Sequence, residues 1–312
     1  MVLWISAALA AISFSLANTV RGETDRTSTM VDDVRGYYLA TGAIDRAAVE
    51  LLWGVTYQQD RKIKQGSAWV DYQFPTGWAH VELIPETAKL NVNFIPPERL
   101  LRLLAALGVE PGASMQIAQG ILARRLGVGA ALSLPVAPTF PQSGASFQEI
   151  EELLSVRGIT PEIFYGTYVP NETAQGEVRQ GEPRLLRRSG LADCLTVYGT
   201  SEQVDANTAD AAVLSAAGLP DAAIRQLVEA RKVAPLTPER LAQMASGFGP
   251  GAASLRLEGN SILTIRATAR AMLANGQLSD MKRTVAALVK YMPSGYSTPI
   301  HILRWYDTTW SN

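Results

Sequence analysis

The stretch Val2-Leu3-Trp4-Ile5-Ser6-Ala7-Ala8-Leu9-Ala10-Ala11-Ile12-Ser13-Phe14-Ser15-Leu16-Ala17 carries no charge, and its only polar residues are serines. Reading on from Met1, the first charged side chain is Arg21. At about 1.5 Å of rise per residue, about 20 residues cross the hydrocarbon core of a bilayer. The stretch therefore predicts a transmembrane helix over 1–20, with Val2, Leu3, Trp4, Ile5, Leu9, Ile12, Phe14 and Leu16 as the anchor. A cleaved secretory signal would place basic residues before the apolar run, whereas here the first cation stands on its far side. A buried core helix is the lesser reading, because a run apolar all round would need protein on every side.

The helical pattern continues past the anchor. Met30, Val34, Tyr37, Tyr38, Ile44, Ala48, Leu51 and Leu52 recur at helical spacing, and Asp32, Asp33, Arg35, Asp45, Arg46 and Glu50 fill the other face. Thr24 to Thr29, preceded by Gly22, reads as a weak point between the halves. The amphipathic half needs a partner surface, because helices are stabilised mainly by packing.

That surface reads as β-structure on either side of a helical insertion. Residues 69–93 alternate as strands, with a turn at Pro75-Thr76-Gly77. Residues 261–269, 284–291 and 300–306 alternate again, with a hairpin signal at Asn275-Gly276. Between them, Pro96-Pro97-Glu98 opens a helix ending at Gly108, and Ala113–Leu126 forms its partner. A second pair runs from Val204-Asp205-Ala206-Asn207-Thr208 through Gly218 to Ala222–Arg231, an internal repeat of helical hairpins. Val128–Ser146 reads as a loop, Phe147–Val156 as a short helix and Asn171–Ser189 as a polar linker. The fold class is α+β: a long N-terminal helix on an antiparallel sheet, with an inserted all-α region. The divisions are 1–20 (anchor), 21–93 plus 250–312 (α+β domain), and 94–249 (insertion, hairpins at about 94–165 and 204–248).

Composition narrows the function. A net charge of -1 provides no basic field for nucleic acid. One cysteine, Cys194, and two histidines, His80 and His301, are too few for a usual zinc site. No phosphate loop, paired His-Glu-His or nucleophile elbow is present, so no catalytic or metal residue is assigned. Glu149, Glu151 and Glu152 read as a solvated helix face, and Arg184, Arg187 and Arg188 as a basic patch in the linker.

Taken in order, these segments resemble protein K of type II secretion systems, a minor pseudopilin family. Val2-Leu3-Trp4 resembles the family's N-terminus, and Tyr38-Leu39-Ala40-Thr41-Gly42-Ala43 the segment before a helix continuing to Trp53. Leu90-Asn91-Val92-Asn93 with Pro96-Pro97-Glu98 resembles the lead-in to its first helical subdomain. Leu195-Thr196-Val197-Tyr198 followed by Val204–Thr208 resembles the second, and Leu303-Arg304-Trp305 its closing strand. Asn91, Asn93, Pro97, Asn207 and Thr208 are the lead-in residues. The resemblance implies a pilin-like fold with two SAM-like helical subdomains and no enzymatic activity. It also implies a single-pass inner-membrane protein with its C-terminal domain in the periplasm, at or near the pseudopilus tip. The implied partners are the minor pseudopilins of the I and J kinds, pseudopilus subunits and membrane lipid, with no nucleic acid and no small-molecule substrate.

Family members carry a short basic leader ending in Gly; this chain starts at Met1 on the apolar helix, and no cleavage site is visible before it. Some members bind calcium through an acidic loop after the first hairpin. Here Gly127–Pro135 holds no carboxylate, so no cofactor is expected. The alternative reading is a membrane-anchored helix-hairpin-helix protein that binds nucleic acid. Its turns, Gly108-Val109-Glu110-Pro111 and Gly218-Leu219-Pro220-Asp221, place an acid and a proline where phosphate would need free amides.

Overall fold

The computed structural model describes residues 2–56, 63, 67–126, 146–170, 185–199, 203–257, 261–292 and 299–307. Helix α1 spans Val2–Thr56 without interruption, 55 residues or about 80 Å at helical rise. The expected weak point at Thr24–Thr29 is ordinary helix. There the hydroxyls of Thr24, Thr27 and Thr29 donate to the carbonyls of Val20, Glu23 and Asp25 at 2.8, 2.8 and 2.9 Å. Bonded back in this way, they do not compete for the helix amides.

Strands β1 (Trp69–Phe74), β2 (Gly77–Pro85), β9 (Ile262–Ala271), β10 (Arg283–Tyr291) and β11 (Ile300–Tyr306) form one five-stranded sheet in the order β1-β2-β9-β10-β11. Every neighbouring pair is antiparallel. One face of the sheet meets α1: Ala40, Ala43, Ile44 and Ala47 are buried against Tyr72, Val81, Ile265, Ala267, Val285 and Ala287. Small residues on both sides let helix and sheet approach closely, and Leu39 and Leu51 pack at the margin of this core. The turn at Asn275-Gly276 is present but longer than a two-residue hairpin, because a bridge from Met272 to Leu278 encloses it. Asn275 Oδ1 instead accepts from the Gln277 amide at 2.9 Å, which holds the wider loop.

The helical region lies between β2 and β9. Its first part comprises β3 (Leu90–Asn91), α2 (Pro97–Ala106), α3 (Pro111–Leu126), a 3-10 turn (Ile150–Ser155), α4 (Pro161–Tyr165), β4 (Thr167–Pro170), β5 (Leu185–Arg188), α5 (Leu191–Cys194) and β6 (Leu195–Thr196). Its second part comprises β7 (Val204–Asp205), α6 (Ala211–Ala216), α7 (Asp221–Val233), α8 (Pro238–Met244) and β8 (Leu255–Arg256). Leu90–Asn91 does not join the main sheet but pairs in parallel with β6, and Leu255–Arg256 pairs in parallel with β7. A pair of two-residue strands has no periodicity that could separate it from the preceding strand. The short helix expected over 147–156 is present as a 3-10 helix, Ile150–Ser155.

The register fixes where this region hangs. At one end of the sheet Asp33 pairs with Arg283 at 3.4 Å and Tyr37 donates to Asp307 at 3.0 Å. The exposed half of α1 leaves from this end. At the opposite end Tyr291 donates to the Leu51 carbonyl at 3.1 Å, and Pro85 lies beside Leu263. The helical region is attached at that second end, through Pro85 and Ile262, far from the exposed apolar half of α1.

Candidate anchor and head surfaces

All residues from 2 to 31 of α1 are exposed. Val2, Leu3, Trp4, Ile5, Leu9, Ile12, Phe14 and Leu16 lie on all sides of the helix, with Trp4 83% and Phe14 71% exposed. Water does not tolerate such a surface on an isolated helix, and lipid does. Inside the stretch Ser6 Oγ is satisfied locally, donating to the carbonyls of Val2 and Leu3, each at 3.0 Å. The helix is long and apolar enough to cross a membrane once. Beyond the charged residues Arg21 to Arg26, an apolar strip resumes with exposed Met30, Val31, Val34 and Tyr38.

The lead-in residues close the two helical subdomains. Asn93 Oδ1 accepts from the Phe147 amide at 2.7 Å while its Nδ2 donates to the Phe147 carbonyl at 3.0 Å. Asn207 does the same with Leu236, at 2.7 and 3.3 Å. Asn91 accepts from the Asn93 amide at 2.8 Å and donates to the Gly199 carbonyl at 2.5 Å. Thr208 donates to Asp205, and Pro97 opens α2. These residues are fasteners whose polar groups are engaged inside the fold.

Two arginines that sequence reasoning missed complete the pattern. Arg125, at the end of α3, donates to the Ile95 carbonyl at 2.9 Å; Arg231, near the end of α7, donates to the Ala206 carbonyl at 3.1 Å. Burial pushes the pKa of both guanidinium groups down. Their placement at matching helix ends of the repeat was the available signal.

The turns expected of a phosphate-binding hairpin are occupied. The amides of Gly108 and Val109 donate to Ala105 and Leu104, and those of Gly218 and Leu219 to Ser215 and Leu214. Glu110 caps α3 by accepting from the Ala113 amide at 3.1 Å. Of the basic patch, Arg187 is paired with Asp193 at 2.7 Å, and Arg184 lies outside the described residues. The acidic run also has partners: Arg124 pairs with Glu152, and Arg304 lies 3.2 Å from both Glu149 and Glu151. Cys194 is fully buried, and burial pushes its thiol well above the usual range. His80 pairs with Asp71 at 2.7 Å on the open sheet face between Trp69 and Trp78. Among the described residues no cluster of three metal-ligating side chains occurs. Gly127–Pro135, where family members place calcium, lies outside them.

No protein-family model matches the chain. No curated protein matches it either. Among solved structures, it is similar to the crystal structure of the GspK-GspI-GspJ complex from the enterotoxigenic Escherichia coli type 2 secretion system. The identity is 14% and the TM-score 0.48, over 94% of this chain and 100% of that one.

Proposed function

We propose that this chain is a minor pseudopilin of a type II protein secretion system, with a structural rather than catalytic role. One observation carries the reading: a continuous helix whose apolar half is wholly exposed and whose other half packs on an antiparallel sheet. Such a helix is stable in two settings, in lipid before assembly and among the helices of other subunits afterwards. The body then lies in the periplasm, with the anchor in the inner membrane. The helical region is mounted at the end of the sheet away from the anchor. A head so placed obstructs the stacking of a further subunit above it, which supports a position at or near the pseudopilus tip and a part in initiating or capping assembly. The partners we propose, from the family resemblance of the sequence, are minor pseudopilins of the I and J kinds.

Co-purification of the full chain with those two proteins is the test. A ternary complex is expected, and a chain that stays monomeric in their presence overturns the reading. The anchor is tested separately. Leu9→Arg should weaken insertion by about 2.5–3.5 kcal/mol and shift the chain out of the membrane fraction.

A further inference from the structure

The sheet and the helical head keep separate hydrophobic cores with no residue in common. Between them lies a cavity of about 550 Å³, walled by sheet residues such as Glu82, Arg266 and Tyr306 and by head residues such as Glu151, Asp193 and Asp210. Its walls are mixed: apolar side chains such as Ile84, Ala88 and Leu288 stand beside charged groups matched within the protein, Arg266 with Glu82 at 2.7 Å and Lys89 with Glu86 at 3.1 Å. Apolar packing and hydrogen bonding across the joint gather beside the Pro85 crossing, where Ile84 packs on the head's core and Thr264 donates to Glu86 at 2.9 Å; beyond them the cavity opens between the two bodies.

Two chain crossings connect the bodies, after Pro85 and before Ile262. Among the described ion pairs, those crossing the seam belong to Arg304 of the edge strand β11. Its guanidinium lies 3.2 Å from Glu149 and 3.2 Å from Glu151, both in the first helical subdomain. These side chains are partly exposed, at 35% for Arg304, 59% for Glu149 and 32% for Glu151. Pairs of this kind are weak and are screened by salt.

We propose that the head rocks on the sheet as a rigid body and that Arg304, with Glu149 and Glu151, is an electrostatic latch holding it closed. The latch ties the angle of the head to the position of β11, the edge strand of the sheet among the described residues. The inference is independent of the secretion reading.

Pulsed dipolar spectroscopy on the full chain in lipid nanodiscs tests it. Spin labels are placed at Gln73→Cys on the sheet and Gln119→Cys on the head; both sites are exposed. Cys194 is retained, since its buried thiol escapes labelling. At low salt a single narrow distance is expected. Arg304→Ala, or about 0.5 M salt on the otherwise unchanged chain, should broaden the narrow peak. Arg304→Glu combined with Glu149→Arg and Glu151→Arg should restore it. A second label pair within the head, Gln119→Cys and Gln226→Cys, should stay narrow throughout. An Arg304→Ala peak that stays narrow overturns the latch. Equal broadening of both label pairs overturns rigid-body rocking, because it reports local unfolding instead.

Discussion

In the first helical subdomain Asn93 grips a residue 54 positions away; in the second Asn207 makes the same paired contact across 29. Each subdomain opens on a short strand that returns to a parallel partner, β3 to β6 and β7 to β8. Each sends an arginine from its second helix back to a backbone carbonyl at the lead-in. What differs is the chain between these fasteners, and the surroundings of the fasteners themselves. Asn207 is 5% exposed, whereas Asn93 is partly open to water. The unit is thus defined by how its polar backbone is closed over an apolar core, and loop length is free to vary. The two units also share a wall: α2 packs on α6, and Arg99 donates to Ser254 at 2.9 Å.

The largest expected effect separates the two clamps. Asn207→Ala leaves the amide and carbonyl of buried Leu236 unpaired. At roughly 1–3 kcal/mol per orphaned buried group, the loss for the two groups should be about 2–6 kcal/mol. Asn93→Ala should cost about half as much, since water can reach the vacated site. Hydrogen exchange read by mass spectrometry on peptides from each subdomain gives both values. Equal losses would mean that the burial difference has no energetic consequence.

Next in size is the arginine brace. Arg231 lies in the fields of Asp210 and Asp205, which oppose the depression of its pKa by burial; no such carboxylates act on Arg125. Arg231→Ala therefore removes a hydrogen bond from a charged group and also its favourable field on Asp210 and Asp205. A loss of about 1.5–3 kcal/mol is expected, and a smaller one for Arg125→Ala. The same exchange measurement decides; an Arg125 variant that loses more than the Arg231 variant would invert the comparison.

How much of this was legible in the sequence depends on range. The long apolar helix was legible because an uncharged run from Met1 to Val20 needs no tertiary information. The hairpins were legible because Gly108 and Gly218 each stand at a break in helical periodicity. Asn91, Asn93, Asn207 and Thr208 were singled out by pattern, but their roles were hidden, since a side chain's partner tens of residues away leaves no local trace. The parallel ladders were invisible for the same reason. Leu90–Asn91 read as one more strand of the sheet until its partner, Leu195–Thr196, was in place. Arg187, read as a basic patch, is neutralised by Asp193 six residues on.

The glycine turns should respond alike in the two subdomains. Gly108 has φ +70° and Gly218 φ +96°, which L-residues adopt at a cost of about 1–2 kcal/mol. A Cβ at Gly218 meets nothing closer than Gly251 Cα at 3.8 Å, so Gly218→Ala measures backbone strain alone. A Cβ at Gly108 would displace the Arg188 guanidinium, the far end of a flexible side chain, and should add little. Melting of the two variants followed by circular dichroism should agree within about 0.5 kcal/mol, near the usual error of additivity.

The smallest effect is a pH dependence confined to the first subdomain. Cys194 immediately precedes β6, and the matching position before β8 is Ser254, which does not ionise in this range. Burial is the main cause that pushes the Cys194 thiol well above its ordinary value of 9.0, with Asp210 and Asp193 adding to it. In the unfolded chain the thiol ionises near that ordinary value. The folded state keeps the proton longer, so its advantage is fully present below about pH 8.5 and declines as pH rises through the unfolded pKa towards the folded one. By about pH 10 the decline should be on the order of 1 kcal/mol, at 1.36 kcal/mol per pH unit of differential ionisation. Once exchange rates are corrected for their intrinsic pH dependence, peptides over 90–126 and 191–196 should lose protection between pH 8.5 and 10 relative to peptides over 204–256. Cys194→Ala should be slightly less stable at pH 7 and should lose this difference between the subdomains. A difference that persists in Cys194→Ala would assign the alkaline sensitivity to another group, with Tyr198 the first to test, since burial raises its pKa too.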